Sequence, residues 1–193
     1  MGKPAGQSGS RSGAGGPSLR WRVVGCGSPY AGDDSAGLEV VRRLRARGDC
    51  ECELAEMPQA SVDLLELLKD ADVVLFVDAV ASGAPAGTLH LMPLPSPGIE
   101  PRAVGSLSSH GWGLAETLKL MEALARPVPR LALLGVEIGT VEPGAPRSPA
   151  VEAAMGTVVE RFPAVYAFLA AAEKTGWAGP LRFPPGDTSL AGL

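Results

Sequence analysis

The stretch WRVVGCGSPYAGDDSAGLEVVRRLRARG, residues 21–48, decides the fold. Trp21 to Val24 reads as a short buried strand. It runs into a loop of glycine and small residues, and from Asp34 to Arg47 the chain reads as a helix. Val40, Val41 and Leu44 fall on one face of that helix, the spacing of an amphipathic segment. Arg42, Arg43, Arg45 and Arg47 gather toward its end and Gly48 follows. Cations complement the negative end of the helix dipole, and glycine readily takes the left-handed backbone of a C-cap. Strand, glycine-rich turn and helix in that order open an α/β fold.

Working outward, the same alternation continues. Glu51 to Ala55 reads as the next strand, and Ser61 can cap a helix running to about Lys69 with Leu64, Leu65 and Leu68 turned inward. Val73 to Val77 is an unbroken apolar run, the mark of a strand covered on both faces. Thr88 to Met92 reads as a further strand, ended by a proline-rich loop from Pro93 to about Ser108. A helix follows from about His110 to Ala125, with Leu114, Leu118, Met121 and Ala125 at helical spacing. Leu131 to Val136 is another buried strand. Ser148 caps and Pro149 opens a last long helix to about Lys174, because proline suits the first helical position. These elements predict an α/β three-layer sandwich: a mainly parallel twisted sheet of about five strands with helices on both faces. Residues 1–20 are mostly Gly, Ser, Pro and Arg with almost nothing apolar, and read as a flexible extension. The domain spans 21–175, and the Gly- and Pro-rich residues 176–193 read as a loose tail with contacts through Trp177 and Phe183. There is no internal repeat.

Composition narrows the function. Hydrophobic residues make up 46% of the chain but aromatics only 5%, so the core is built from Val, Leu and Ala. A net charge of −4 argues against a nucleic-acid partner, which would call for a basic face. No apolar run approaches the roughly 18–20 residues that cross a bilayer, so no membrane association is expected. Nor do the first twenty residues resemble a secretory signal, and a cytoplasmic location is expected. Cys26, Cys50 and Cys52 offer no second pair for a four-ligand zinc site and read as reduced thiols.

Ligands of open α/β sheets collect beyond the carboxyl ends of the strands, and three residues stand out there. The turn from Gly25 to Gly32 invites a nucleotide, but Tyr30 stands where the dinucleotide fingerprint needs glycine. Asp33 follows Gly32 where a phosphate-binding loop needs lysine. Two carboxylates at a helix N-terminus would also repel phosphate. Asp33 is the candidate for the helix cap; Asp34, the second acid, is either part of that cap or functional. Asp78 ends the Val73–Val77 run, where a buried charge demands pairing, hydrogen bonds or a metal. It reads equally as a turn residue. His110 sits where a loop enters a helix, with Ser109 as a plausible cap and Gly111 and Gly113 beside it, and it admits either an exposed-loop or a functional reading. His90 alternates with Leu89 and Leu91 and reads as a surface or edge position. Two carboxylates and an imidazole suit a divalent metal such as nickel, zinc or iron.

Four motifs in order, GCGSPYAGDDSAG at 25–37, VVLFVDAVASGAPAGTLHL at 73–91, SSHGWGLAETL at 108–118 and LLGVEIGTVEPGAPRSPAVEAAM at 133–155, resemble the hydrogenase maturation endopeptidases. The resemblance covers about residues 21–172. It implies that Asp34, Asp78 and His110 are both the metal ligands and the catalytic residues. It also implies that the partner is the large-subunit precursor of a nickel–iron hydrogenase, which brings the nickel and loses a short C-terminal extension. Some relatives carry Glu where Asp34 stands. Many have a Gly-Gly-Thr turn where this chain reads Glu56-Met57-Pro58-Gln59-Ala60-Ser61, which leaves the choice of hydrogenase open, and often Leu where Arg147 stands. Two other readings compete: a nickel or precursor-binding factor that does not cut, and a nucleotide-binding domain.

Overall fold

In the computed structural model, the structure describes residues 19–58, 64–94, 114–139, 144–175, 177 and 179–187. Six strands form one sheet in the order β2-β1-β3-β5-β4-β6. They are β1 (Trp21–Gly27), β2 (Glu53–Pro58), β3 (Val73–Val80), β4 (Leu89–Leu94), β5 (Arg130–Glu137) and β6 (Leu181–Phe183). β1 pairs in parallel with β2 and β3, and β3 in parallel with β5. β4 runs antiparallel to both β5 and β6. The helices are α1 (Ala36–Arg47), α2 (Leu64–Leu68), α3 (Leu114–Ala123) and α4 (Pro149–Thr175).

Alternation along the strands builds two cores. Val73, Leu75 and Val77 point to one face, where they meet Val40, Val41 and Leu44 of α1 and Val151, Met155, Val158, Phe162 and Val165 of α4. Val74, Phe76 and Val80 point to the other, beneath Leu64 and Leu68 of α2 and Met121 of α3. The continuous apolar run in β3 is thus explained by helices above and below it. Burying a side chain such as Phe76 on either face is worth about 1.5–3 kcal/mol.

Helix ends follow the local chemistry. Gly48 takes φ +71° and returns its N–H to the Leu44 carbonyl, closing α1 as expected. The Ser148 hydroxyl accepts the Val151 N–H at 3.4 Å, an N-cap bond that starts α4. α3 is shorter than its apolar spacing predicts: it ends at Ala123, and Ala125, expected to face inward, is exposed at φ +51°. Pro163 lies inside α4, where it has no N–H for the Val159 carbonyl four residues earlier. The Arg47 guanidinium donates to that carbonyl instead.

Three expectations need correction. The segment 176–193, read as a loose tail, supplies β6, which pairs with β4 and buries Phe183 in the core. The sheet therefore has six strands, not about five. Cys50 and Cys52, read as reduced thiols, are joined as a disulfide; the bend before β2 brings their Cα atoms to 5.2 Å, within disulfide range. Among the described residues, no helix is long and apolar enough to cross a membrane.

Candidate functional site

Strand order reverses between β1 and β3: the chain leaves β1 toward β2 on one side and returns to β3 on the other. The crevice beyond the carboxyl ends of those two strands is where such sheets hold ligands. Asp34 lies in the turn that follows β1, and Asp78 lies late in β3.

Close backbone packing places the first. A Cβ on Gly27, which sits at φ +126°, would come within 1.8 Å of the Asp34 carbonyl oxygen. One on Gly37 would meet the Val77 carbonyl oxygen at 2.0 Å and that of Cys26 at 2.5 Å. The glycines of this turn therefore let residues 32–37 press onto the ends of β1 and β3. They do not hold open a phosphate cradle. Residues 32–35 form a 3-10 turn, not the first turn of α1. Within it Asp34 is half-buried, and its carbonyl and its Oδ2 both accept the Ser28 N–H, at 3.2 and 3.1 Å.

Asp33 behaves differently from its neighbour. The turn it belongs to has no side-chain cap. The buried Asp33 carboxylate reaches across to the start of α4, accepting the Ser148 N–H at 2.6 Å and, more weakly, the Gly139 N–H at 3.5 Å. Its role is to tie the turn to β5 and α4. Arg147, where the resembling family often has Leu, binds the same region: its guanidinium donates to Ser35 Oγ at 3.1 Å and to Glu152 at 3.2 Å. Beside them lies a cleft of about 540 Å³ lined by Tyr30, Gly32, Ser35, Pro146, Arg147 and Glu152. Tyr30 on its rim is 83% exposed.

Asp78 is wholly buried. The pairing of β1 with β3 ends at Gly25 and Val77, so Asp78 is the first residue of β3 past that seam. Its Oδ1 accepts the Ala79 N–H at 2.8 Å. By alternation it shares the face of Phe76 and Val80, under α2 and α3. Burial, reinforced by the Asp78 charge, pushes the Cys26 thiol well above its ordinary pKa. Its Sγ donates to the Val24 carbonyl at 3.4 Å.

The structure thus brings Asp34 and Asp78 to the ends of adjacent strands. His110 lies outside the described residues, as do Ser109, most of the loop from Pro93 and the Ser61 cap. Among the described residues, no three His, Cys, Asp or Glu side chains form a group that could hold a metal.

Sequence reasoning missed Glu137 and misjudged His90. His90 is 2% exposed and Glu137 1% exposed, and their side chains meet at 2.9 Å. The surface reading of His90 fails because β6 covers β4, so β4 is not an edge and both its faces are covered. Glu137 Oε1 also accepts the Ser82 and Gly83 N–H groups at 2.7 and 2.9 Å, and Oε2 accepts the Ser82 hydroxyl at 2.8 Å. A carboxylate only accepts, so His90 Nε2 carries the proton. Burial lowers the His90 pKa, against the raising effect of Glu137. Two amides, the Ser82 hydroxyl and the His90 ring thus converge as four donors on the one carboxylate. The available signal was an acid placed directly after the apolar run Leu131–Val136.

The family model for hydrogenase maturation proteases matches residues 38–164. The chain belongs to the hydrogenase maturation protease family. The matched stretch contains Asp78 and His110 and begins just after Asp34. Solved structures of the family share the fold. A hydrogenase maturating endopeptidase HybD from E. coli aligns with TM-score 0.61 at 24% identity, over 88% of this chain and 99% of that one. A [NiFe] hydrogenase maturation protease HybD from Thermococcus kodakarensis aligns with TM-score 0.58 at 22% identity, over 79% and 99%. A hydrogenase 2 maturation peptidase from Thaumarchaeota archaeon SCGC_AB-539-E09 gives 0.58 at 24%, over 77% and 98%. No curated protein matches the chain in sequence.

Proposed function

We propose that this chain is an endopeptidase that removes the C-terminal extension of a nickel–iron hydrogenase large-subunit precursor after nickel insertion, and that it recognises the inserted nickel. The observation that carries this reading is the pair Asp34 and Asp78 at the crossover of the strand order, Asp78 wholly buried, in a member of this protease family. A buried carboxylate at a ligand-binding edge suits a cation far better than it suits an apolar or anionic ligand.

His110 is the third member of the set. Asp34, Asp78 and His110 together offer two carboxylates and one imidazole, donors that suit a divalent first-row metal. Without thiolates they make a weak resident nickel site, which fits a metal that arrives bound to the precursor. When bound, the nickel supplies polarisation of the scissile carbonyl. The chain's own share is to hold the precursor and to accept a proton from the attacking water through Asp34 or Asp78. Tyr30, exposed beside this edge, is suited to anchor a protein partner.

Mass spectrometry of a nickel-loaded large-subunit precursor, incubated with and without this protein, tests the reading. Loss of the C-terminal peptide only with the protein present is the expected result. Tight binding with an intact precursor would leave a non-catalytic maturation factor.

A further inference from the structure

Asp78, Gly135 and His90 lie in one row across β3, β5 and β4. Glu137 stands two residues beyond Gly135, opposite Val80. All project to the face that carries Asp78, since Val80, Leu133 and Met92 belong to the core on that side. A Cβ on Gly135 would lie 2.8 Å from Val80 Cγ1, so a side chain there would have to displace Val80, while its 3.5 Å approach to the His90 Cβ is ordinary contact. Glu137 therefore sits one strand away from Asp78, and His90 two, on the same face.

Glu137 also holds both ends of the loop joining β3 to β4. Its carboxylate takes Ser82 and Gly83 at the start of the loop. Its backbone takes the far end: the Gly87 N–H donates to the Glu137 carbonyl, and the Glu137 N–H donates to the Thr88 carbonyl, each at 2.8 Å. Ser82, Gly83 and Pro85 on that loop are exposed, and the loop starts three residues after Asp78. Burying a carboxylate costs several kcal/mol unless it is fully satisfied, so an apolar residue would close this end of β5 at less cost. A charge kept there is accounted for by what it holds.

We infer that Glu137, oriented by His90, is a positioning residue that fixes the 82–87 loop as a preset rim for the incoming polypeptide beside Asp78. This rests on the proposed protease reading. Glu137 touches neither the reacting atoms nor the metal. It acts by keeping the rim in its bound shape before the substrate arrives, which lowers the ordering cost of association.

The test combines amide exchange in the free enzyme with precursor kinetics. In Glu137→Ala the Ser82 and Gly83 amides should exchange at least about tenfold faster, and KM for the nickel-loaded precursor should rise about tenfold with kcat within twofold. Glu137→Gln, which keeps an acceptor for both amides, should restore both readouts. Should Glu137→Ala fail to fold, Ser82→Asp opens the same contact from the exposed side by setting two carboxylates against each other, and it should raise KM alike. Unchanged KM in a folded variant whose loop amides are deprotected overturns the inference, as does a fall in kcat at constant KM. Failure of the wild type to cut any precursor overturns the protease reading and this role with it; cleavage by the wild type with normal KM in both loop variants overturns the rim alone.

Discussion

The carboxyl edge of the sheet is built in two ways. At the β1–β3 end, residues 32–37 are held by backbone pressed on backbone, with Gly27 and Gly37 leaving no room for a side chain. At the β5–β4 end, the 82–87 loop is held by a buried ionisable pair, Glu137 and His90. The first arrangement leaves no room for added side chains and is intolerant of change. The second depends on charge and donor count, so it can be loosened in steps and responds to pH. Positioning by packing and positioning by hydrogen bonds leave different mutational signatures.

The sharpest way to break the comparison is at the acids themselves. Asp34→Asn, Asp78→Asn and His110→Ala should each lower precursor cleavage at least about 100-fold while circular dichroism shows an intact fold. Normal processing by all three would remove the site assignment. Next in size is the packed end. Gly37→Ala drives a methyl into the Val77 carbonyl and should destabilise the fold by about 1–3 kcal/mol in urea unfolding, an effect absent for alanine at Gly156, inside α4, where a Cβ meets nothing within 4 Å.

The smallest effect sharpens the contrast through pH. Burial holds the His90 pKa below its ordinary 6.5, and the Arg182 charge lowers it further while Glu137 opposes both. The unfolded chain therefore binds more protons at this position than the native one between the native pKa and about 6.5. Stability should be full above pH 6.5 and should fall as pH drops through that window, levelling off below the native pKa. The urea midpoint at pH 7.5 and 5.5 checks the sign, and His90→Gln should flatten the difference.

Much of this was legible in the chain. The Val73–Val77 run marks a two-sided strand because only helices on both faces can cover it. Ser148-Pro149 marks a helix start by cap chemistry alone. That Asp34 follows the first strand and Asp78 the apolar run of the third could be read along the chain, but the strand order that makes those two strands neighbours could not. What escaped notice was non-local. β6 is a three-residue strand between Pro180 and Pro184, with no periodicity to reveal it. Its presence turns β4 from an edge into an interior strand, and His90, whose alternation with Leu89 and Leu91 reads as a surface position, is buried. Glu137 meets Ser82 and His90 across 55 and 47 residues of chain, and no local pattern encodes that meeting. The capping role expected of Asp33 went instead to the approach to α4, 115 residues away.

The central claim is that the Asp34–Asp78 edge, with His110, reads nickel in the precursor. Dissociation constants for the large-subunit precursor with and without its nickel, measured against the wild type and Asp78→Asn, test it most directly. The account predicts at least about tenfold tighter binding of the nickel-loaded form, roughly 1.4 kcal/mol, and loss of that preference in Asp78→Asn. Equal affinity of the wild type for both forms would contradict it.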